Sequence, residues 1–301
     1  MKALITGGSG FIGRNIATLL ESKGWDIRII DVEKPSMDFD FVSGSVTDPD
    51  ILNKAMNGVD VVFHEAAVTS PPQFEETPLP GFSVNVNGTM NVMECALKNS
   101  VKRVVLASSS AIYGNTQKIV SESDTDNSFI SVYPMTKYID EIIASYYSNN
   151  TDLETVALRY FNTFGPGENT KGYYSSVIHK FIDNIEKHEK PVIFGDGNQS
   201  RDFIYVKDVA NANLLAATKG VSGSAYNIGT GKTNSFNHIL SVVCECMGRQ
   251  VEPRYEPIPF KSYQMFTQAN ISKARQELGF EPQYDLKGGI LETIRELTSD
   301  S

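Results

Sequence analysis

The sequence predicts an α/β protein: a doubly wound parallel sheet with a smaller α/β lobe at its C-terminal end. Three observations carry this. Apolar runs of strand length alternate with amphipathic runs of helix length through residues 2–161, the pattern of a parallel sheet covered on both faces. The first apolar run, Ala3-Leu4-Ile5, leads directly into a glycine turn, T-G-G-S-G-F-I-G at residues 6–13, and then into a helical pattern. After Phe161 the alternation loosens, and Gly165-Pro166-Gly167 breaks the chain.

Each element follows in order. Strand, glycine turn and helix start together predict a Rossmann-type dinucleotide site. Gly7, Gly10 and Gly13 let the backbone turn tightly, approach a pyrophosphate and pack the helix on the sheet. The N–H groups of the first helical turn meet the phosphate charge, which puts Phe11 and Ile12 among the expected cofactor-binding residues. The helix over residues 11–23 stops at Gly24, and a strand over 26–30 follows with Asp31 at its C-terminal end. A carboxylate there accepts hydrogen bonds from the adenosine ribose hydroxyls and repels a 2′-phosphate, which predicts NAD rather than NADP. Glu33 adds to the repulsion and Lys34 is the nearby counterweight. Further strands are expected over 41–44, 59–65, 103–108 and 155–161, with helices over 50–56, 84–99 and 133–147. Residues 221–231 read as one more strand returning to the sheet. Residues 1–164 then form the NAD-binding domain and 165–301 mainly a substrate-binding lobe, with ligands in the crevice between them at the strand C-termini.

Composition bounds the partners. A chain of 301 residues with 41% hydrophobic content has room for a full core. A formal net charge of −9 argues against nucleic acid and other polyanions, so any phosphate is met by a few placed donors. Cys95, Cys244 and Cys246 are too few for a disulfide framework and lack a His at ligand spacing, which predicts reduced thiols in a cytoplasmic protein and no metal. The first strand begins at Lys2, leaving no room for a signal peptide, and no apolar run approaches membrane-spanning length.

The chemistry concentrates at one strand end. Tyr133 and Lys137 form a Y-x-x-x-K pair on one face of a helix, which sets an ammonium beside a phenol. The strand before it ends in Ser108-Ser109-Ser110-Ala111-Ile112-Tyr113-Gly114, a hydroxyl cluster where doubly wound sheets place their active sites. Tyrosine titrates near pH 10, but an ammonium and a cationic nicotinamide ring both favour phenolate, which would let Tyr133 act as a base.

These motifs, with H-E-A-A from His64, Y-P-M-T-K from Tyr133, R-Y-F-N from Arg159 and R-D-F-I-Y-V-K-D-V-A from Arg201, resemble the extended short-chain dehydrogenase/reductase family along the whole chain, and within it the nucleotide-sugar epimerases and dehydratases. The resemblance implies that Tyr133 and Lys137 are the catalytic pair and Ser109 the catalytic hydroxyl, with Ser108 and Ser110 as rivals. It sets Asn162 and Arg201 on a substrate diphosphate, and Ala66, Ala67 and Phe161 near the cofactor, with Lys137 on the nicotinamide ribose. The plainer alternatives are a turn cap for Asn162 and a salt bridge from Arg201 to Asp202 or Asp208; His64 reads as a packed strand-end residue rather than a catalytic one. A homodimer is also implied, built from the helix that carries Tyr133 and the long helix before it, although Met90, Met93 and Leu97 would equally serve a core.

Dehydratases of this family place an Asp-Glu pair after the catalytic hydroxyl, where this chain has Ser110 and Ala111. An epimerase is therefore expected, with NAD retained because the net redox change is zero. The general plan resembles UDP-galactose 4-epimerases, so a UDP-sugar is the expected substrate. From Gly165 onward the chain is also similar to ADP-glyceromanno-heptose 6-epimerases, through G-P-G-E-N-T-K-G, G-V-S-G-S-A-Y-N-I-G-T-G-K-T-N-S-F and Y-Q-M-F-T-Q-A-N. That likeness would make Lys171 a second acid/base and bring Tyr263 to the substrate; a solvated charge is the alternative for Lys171. The R-P-G-D segment of many UDP-sugar epimerases is absent, replaced by P-I-P-F-K-S-Y at residues 257–263. The other readings are a nucleotide-sugar dehydratase or dehydrogenase, or an NAD-sensing regulator on the same fold, a class that tends to lose the Tyr/Lys pair.

Overall fold

The computed structural model describes residues 1–69, 74, 77–125, 128–168, 175–258 and 263–299. Seven parallel strands form the central sheet: β1 (Lys2–Thr6), β2 (Asp26–Asp31), β3 (Asp40–Ser43), β4 (Val61–His64), β5 (Arg103–Ser109), β6 (Glu154–Tyr160) and β11 (Ser224–Ile228), in the spatial order β11-β6-β5-β4-β1-β2-β3. The order reverses between β1 and β4, which pair from Ala3 against Val61 to Thr6 against His64. The crevice of a doubly wound sheet opens at such a reversal, beyond the strand C-termini.

One face is covered by α1 (Phe11–Ser22) and α7 (Val206–Lys219), which pack on each other and bury Ile16, Leu20, Val209 and Ala216. The other is covered by α2 (Pro49–Met56), α4 (Gly88–Lys98) and α5 (Val132–Asn150), burying Leu52, Met93, Ile143 and Tyr147. The returning strand is present, with Ser224 paired to Val156 and Ile228 to Tyr160.

The helix expected over 84–99 is longer and interrupted. It begins as α3 (Pro78–Phe82), passes through a π-turn at Ser83–Asn87 and continues as α4. The extra residue per turn rotates Asn85 inward, where it is fully buried; such π-turns recur at functional sites. A 3-10 turn at Ser110–Tyr113 follows β5.

The remaining elements are β7 (Asn162–Phe164), α6 (Val177–Glu186), β8 (Val192–Phe194), β9 (Ser200–Arg201), β10 (Phe203–Tyr205), β12 (Asn234–Ser235), α8 (Phe236–Met247), β13 (Arg254–Glu256) and α9 (Leu286–Ser299). Their short strands pair two by two: β7 with β10, β9 with β12, β8 with β13. Phe164, Phe181, Phe203, Phe236 and Ile239 build a separate core, which Phe11 joins from the start of α1. Among the described residues no helix is long and apolar enough to cross a membrane.

Candidate active site

The glycine turn is shaped by contacts that exclude side chains. Gly7 has φ +68°, and a Cβ there would sit 2.7 Å from the Ala66 backbone nitrogen; at Gly13 it would overlap the Gly7 carbonyl oxygen. The turn therefore holds the start of α1 against the loop after β4 that carries Ala66 and Ala67, and makes the N-terminus of α1 a cradle of the kind that fits a pyrophosphate. Asp31 lies beside it: Oδ2 accepts from Ser9 N–H at 3.0 Å and Oδ1 from Glu33 N–H at 3.1 Å. A carboxylate fixed at the edge of this cradle fits a ribose diol.

Tyr133 and Lys137 stand in the first turns of α5, the Tyr133 ring 6.0 Å from that of Phe74. Lys137 is 3% exposed, and its Nζ donates to Asp140 Oδ2 at 3.2 Å. Burial pulls the Lys137 ammonium down, but the charges of Asp140, Tyr133 and Glu65 outweigh it and hold Lys137 above the usual lysine range. Burial in turn pushes Asp140 up to about 6 against the pull of Lys137, and Glu65 up to about 7 against its Tyr160 hydrogen bond and Lys137. His64 is buried between hydroxyls, Nδ1 2.7 Å from Thr6 Oγ1 and Nε2 3.0 Å from Thr89 Oγ1. Burial, assisted by Lys137, lowers it to about 3, so it is a neutral strand-end residue.

Asn85 ties the loop after β4 to this helix. Its Oδ1 accepts from Val68 N–H at 2.8 Å, and its Nδ2 donates to Val68 O at 3.0 Å and Thr136 Oγ1 at 2.9 Å. Thr136 donates onward to Tyr133 O at 2.7 Å. One buried amide thus links the loop after β4 to the backbone of Tyr133.

The serine cluster is sorted by strand alternation. Ser108 is buried and donates to Glu141, which grips Arg159 with both oxygens, Nε at 2.9 Å and Nη2 at 2.7 Å. Arg159 also donates to Tyr113 Oη and Glu122 O, both at 2.8 Å. Ser109 points to the opposite face, as neighbours on a strand do, and its Oγ accepts from Ala111 N–H at 3.1 Å while capping the 3-10 turn. Helix α5 packs against both β5 and that turn, so Ser109 and Tyr133 share one end of the sheet.

Outside the central sheet, Arg201 is buried, with its guanidinium 5.6 Å from the Phe236 ring centroid and 5.5 Å from that of Tyr263. Its Nη1 donates to Ser200 O at 3.0 Å. Neither proposed salt-bridge partner is available: Asp202 accepts from Thr230, Gly231 and Ala269, and Asp208 from the Gln283 and Tyr284 backbone. Burial, opposed by Tyr263, lowers Arg201 to about 10, which leaves it charged at neutral pH. Asn162 accepts from Thr267 Oγ1 at 2.9 Å, and Phe161 is buried against Ile112, Tyr113 and Ala269. Lys171 lies outside the described residues.

Two residues of this site carry a sequence signal that the motifs alone do not single out. Asp140 stands three positions after Lys137, one turn along the same helix face, and Glu65 lies inside H-E-A-A.

Residues 3–229 match the model of the NAD dependent epimerase/dehydratase family. The chain belongs to this family. It is 35% identical over 300 residues to a putative UDP-glucose 4-epimerase of Methanocaldococcus jannaschii, covering 97% of this chain and 96% of the relative. Among solved structures it resembles the UDP-glucose 4-epimerase of Thermotoga maritima with UDP-glucose, at TM-score 0.93 and 29% identity over 100% of this chain and 99% of that one. It likewise resembles the UDP-glucose 4-epimerase of Thermus thermophilus in complex with NAD, at TM-score 0.90 and 27% identity over 100% of both chains.

Proposed function

We propose that this family member epimerises a nucleotide-diphosphate sugar with NAD as a resident cofactor, inverting C4 of a UDP-hexose. The observation that carries the reading is Lys137, buried, ion-paired with Asp140 at 3.2 Å and one turn from Tyr133 on a helix packed against the strand end that holds Ser109. The residues to hold NAD are Gly7, Gly10 and Gly13, the N–H groups of Phe11 and Ile12, Asp31, Ala66, Ala67, Phe161 and Lys137. When bound, NAD supplies a hydride acceptor that returns the hydride, so the sugar passes through a keto form without net redox change.

The chain's own residues handle protons and charge. Tyr133 takes the proton of the reacting hydroxyl and later returns it, helped by the ammonium of Lys137. Ser109 donates to the sugar oxygen as it becomes a carbonyl. Arg201, without a carboxylate partner among the described residues, offers its remaining N–H groups to the diphosphate, with Asn162 and Tyr263 beside it. The relatives named above favour 4-epimerisation over the heptose reaction that would use Lys171, and Ser110 and Ala111 disfavour dehydration.

A panel of UDP-, ADP- and GDP-sugars with product stereochemistry read by NMR tests the reading. A C4 epimer from a UDP-hexose is expected; no inversion of any sugar overturns it. Tyr133→Phe is expected to lower kcat at least about 100-fold while NAD stays bound.

A homodimer is part of the same proposal. Met93 is core, but Met90 and Leu97 of α4 and Ile142 and Tyr146 of α5 are exposed on two helices that pack together. A cytoplasmic setting is supported by free thiols at Cys95, Cys244 and Cys246.

A further inference from the structure

Helix α5 carries Tyr133, Lys137, Asp140, Ala144 and Tyr147 in one row, at the i, i+4, i+7 spacing of a single helix face. All but Tyr133 are buried. The far half of the row is ordinary core, with Ala144 and Tyr147 packed beside Ile143. The near half is an ion pair: Lys137 Nζ stands 3.2 Å from Asp140 Oδ2, the two side chains 4% and 1% exposed. Asp140 Oδ1 meets no hydrogen-bond partner among the described residues, so the burial of this carboxylate is compensated through Lys137. Stability does not explain such a pair. Taking two charges out of water costs about as much as their attraction returns, and an apolar pair in the same row would fold at least as well.

The other nearby acids are committed elsewhere. Glu141, the next residue, spends both oxygens on Arg159, and Glu65 accepts from Tyr160 Oη. Among the described residues Asp140 is the one acid within 4.0 Å of Lys137 Nζ. We propose that Asp140 is the counter-ion of Lys137 and a positioning residue for the reaction: its carboxylate fixes the Lys137 side chain, as an ammonium, on the helix face shared with Tyr133. It acts through Lys137 and not on the reacting atoms. A lysine this buried and without a carboxylate sheds its proton well below the usual lysine range, and a neutral amine gives the Tyr133 phenolate no support. The inference deepens the proposed function, in which Lys137 serves Tyr133. The other groups facing the pair are Tyr133 and Glu141 on α5, His64 on β4 and Glu65 after it. Thr89 of α4 gives its hydroxyl proton to Asn85 O. All of these are common to the wild type and an Asp140→Asn variant, so the comparison isolates the carboxylate.

The test follows Lys137 itself, by NMR of the full chain isotope-labelled at lysine Cε, with the Lys137 signal assigned by its loss in Lys137→Arg. In the wild type Lys137 is expected to stay an ammonium through pH 9.5. In Asp140→Asn, and in Asp140→Ala as a second variant, its titration midpoint is expected to fall by at least about two pH units, about 100-fold in proton affinity. Turnover of UDP-glucose by Asp140→Asn is expected within about threefold of wild type at pH 7 and at least about fivefold below it at pH 9.5. A wild-type Lys137 already neutral at pH 9.5, or a midpoint in the variants equal to that of the wild type, overturns the inference. So does a loss of turnover that is the same at both pH values, which is what a merely structural role would give. A chain that turns over no sugar nucleotide fails the proposed function alone, because the Lys137 titration still decides this inference.

Discussion

At Gly13 a single missing Cβ decides whether the cradle can exist. The atom that a Cβ would overlap is the Gly7 carbonyl oxygen, backbone that cannot rotate away. Gly13→Ala is expected to cost about 3 kcal/mol and to abolish NAD retention, measured by urea unfolding and by cofactor content after desalting. His64 carries a different residue-scale effect. It binds protons at about 3 in the folded protein against 6.5 unfolded, because burial and Lys137 oppose its charge. Between those values the unfolded chain holds more protons, so the His64 contribution is full above pH 6.5 and is lost as pH falls. Glu65 has the opposite sign: raised from 4.5 to about 7, it makes the folded state less stable as pH rises through that window. Relative to His64→Gln, the wild type is expected to lose about 2 kcal/mol of stability between pH 6.5 and pH 5, read from urea midpoints at both pH values. Equal changes in the two proteins would refute this. Tyr133, Lys137 and Asp31 were legible as residue types at motif spacing. Asp140 and Glu65 were not, because their effect depends on burial, and burial is not visible in a motif.

At the scale of elements, β5 sorts its own serines. Alternation sends Ser108 to Glu141 and Ser109 to the face of the 3-10 turn, a distinction present in the period of a strand once its bounds are known. The Glu141 to Arg159 pair fastens α5, and with it Tyr133, onto β6. Glu141→Ala leaves a buried guanidinium without its counter-ion and is expected to cost about 3–5 kcal/mol, whereas Glu141→Ala with Arg159→Met is expected to cost less. Comparing urea unfolding of the single and double variants checks the sign; a double variant weaker than the single one contradicts it. The π-turn at Ser83–Asn87 was not legible. Its sequence, S-V-N-V-N, continues an ordinary helical pattern, and only the need to bring Asn85 onto Val68 and Thr136 explains the extra residue.

For the whole molecule, β7 follows β6 beyond the Ser109–Tyr160 pair and pairs with β10, and Asn162 N–H donates to Asp202 O, which brings Asn162 and Arg201 to the sheet end that holds Ser109 without any sequence proximity. Arg201→Lys keeps a positive charge but loses the planar fork; it is expected to raise KM for a UDP-sugar at least about tenfold with a smaller change in kcat. The proposed dimer belongs to this scale as well. Ile142→Glu with Tyr146→Glu is expected to convert a dimer to a monomer in sedimentation at micromolar concentration; a wild-type protein that is already monomeric removes that part of the proposal. Local pattern was enough for the parallel sheet, the glycine turn after its first strand, the carboxylate at the end of β2 and the placing of Tyr133 and Lys137 on one helix, because each depends on spacing within one strand, turn or helix. The charge held on Lys137, the neutrality of His64 and the freedom of Arg201 from Asp202 and Asp208 came only from packing. Each depends on which groups distant in the chain are buried together, and desolvation and hydrogen-bond competition have no sequence period.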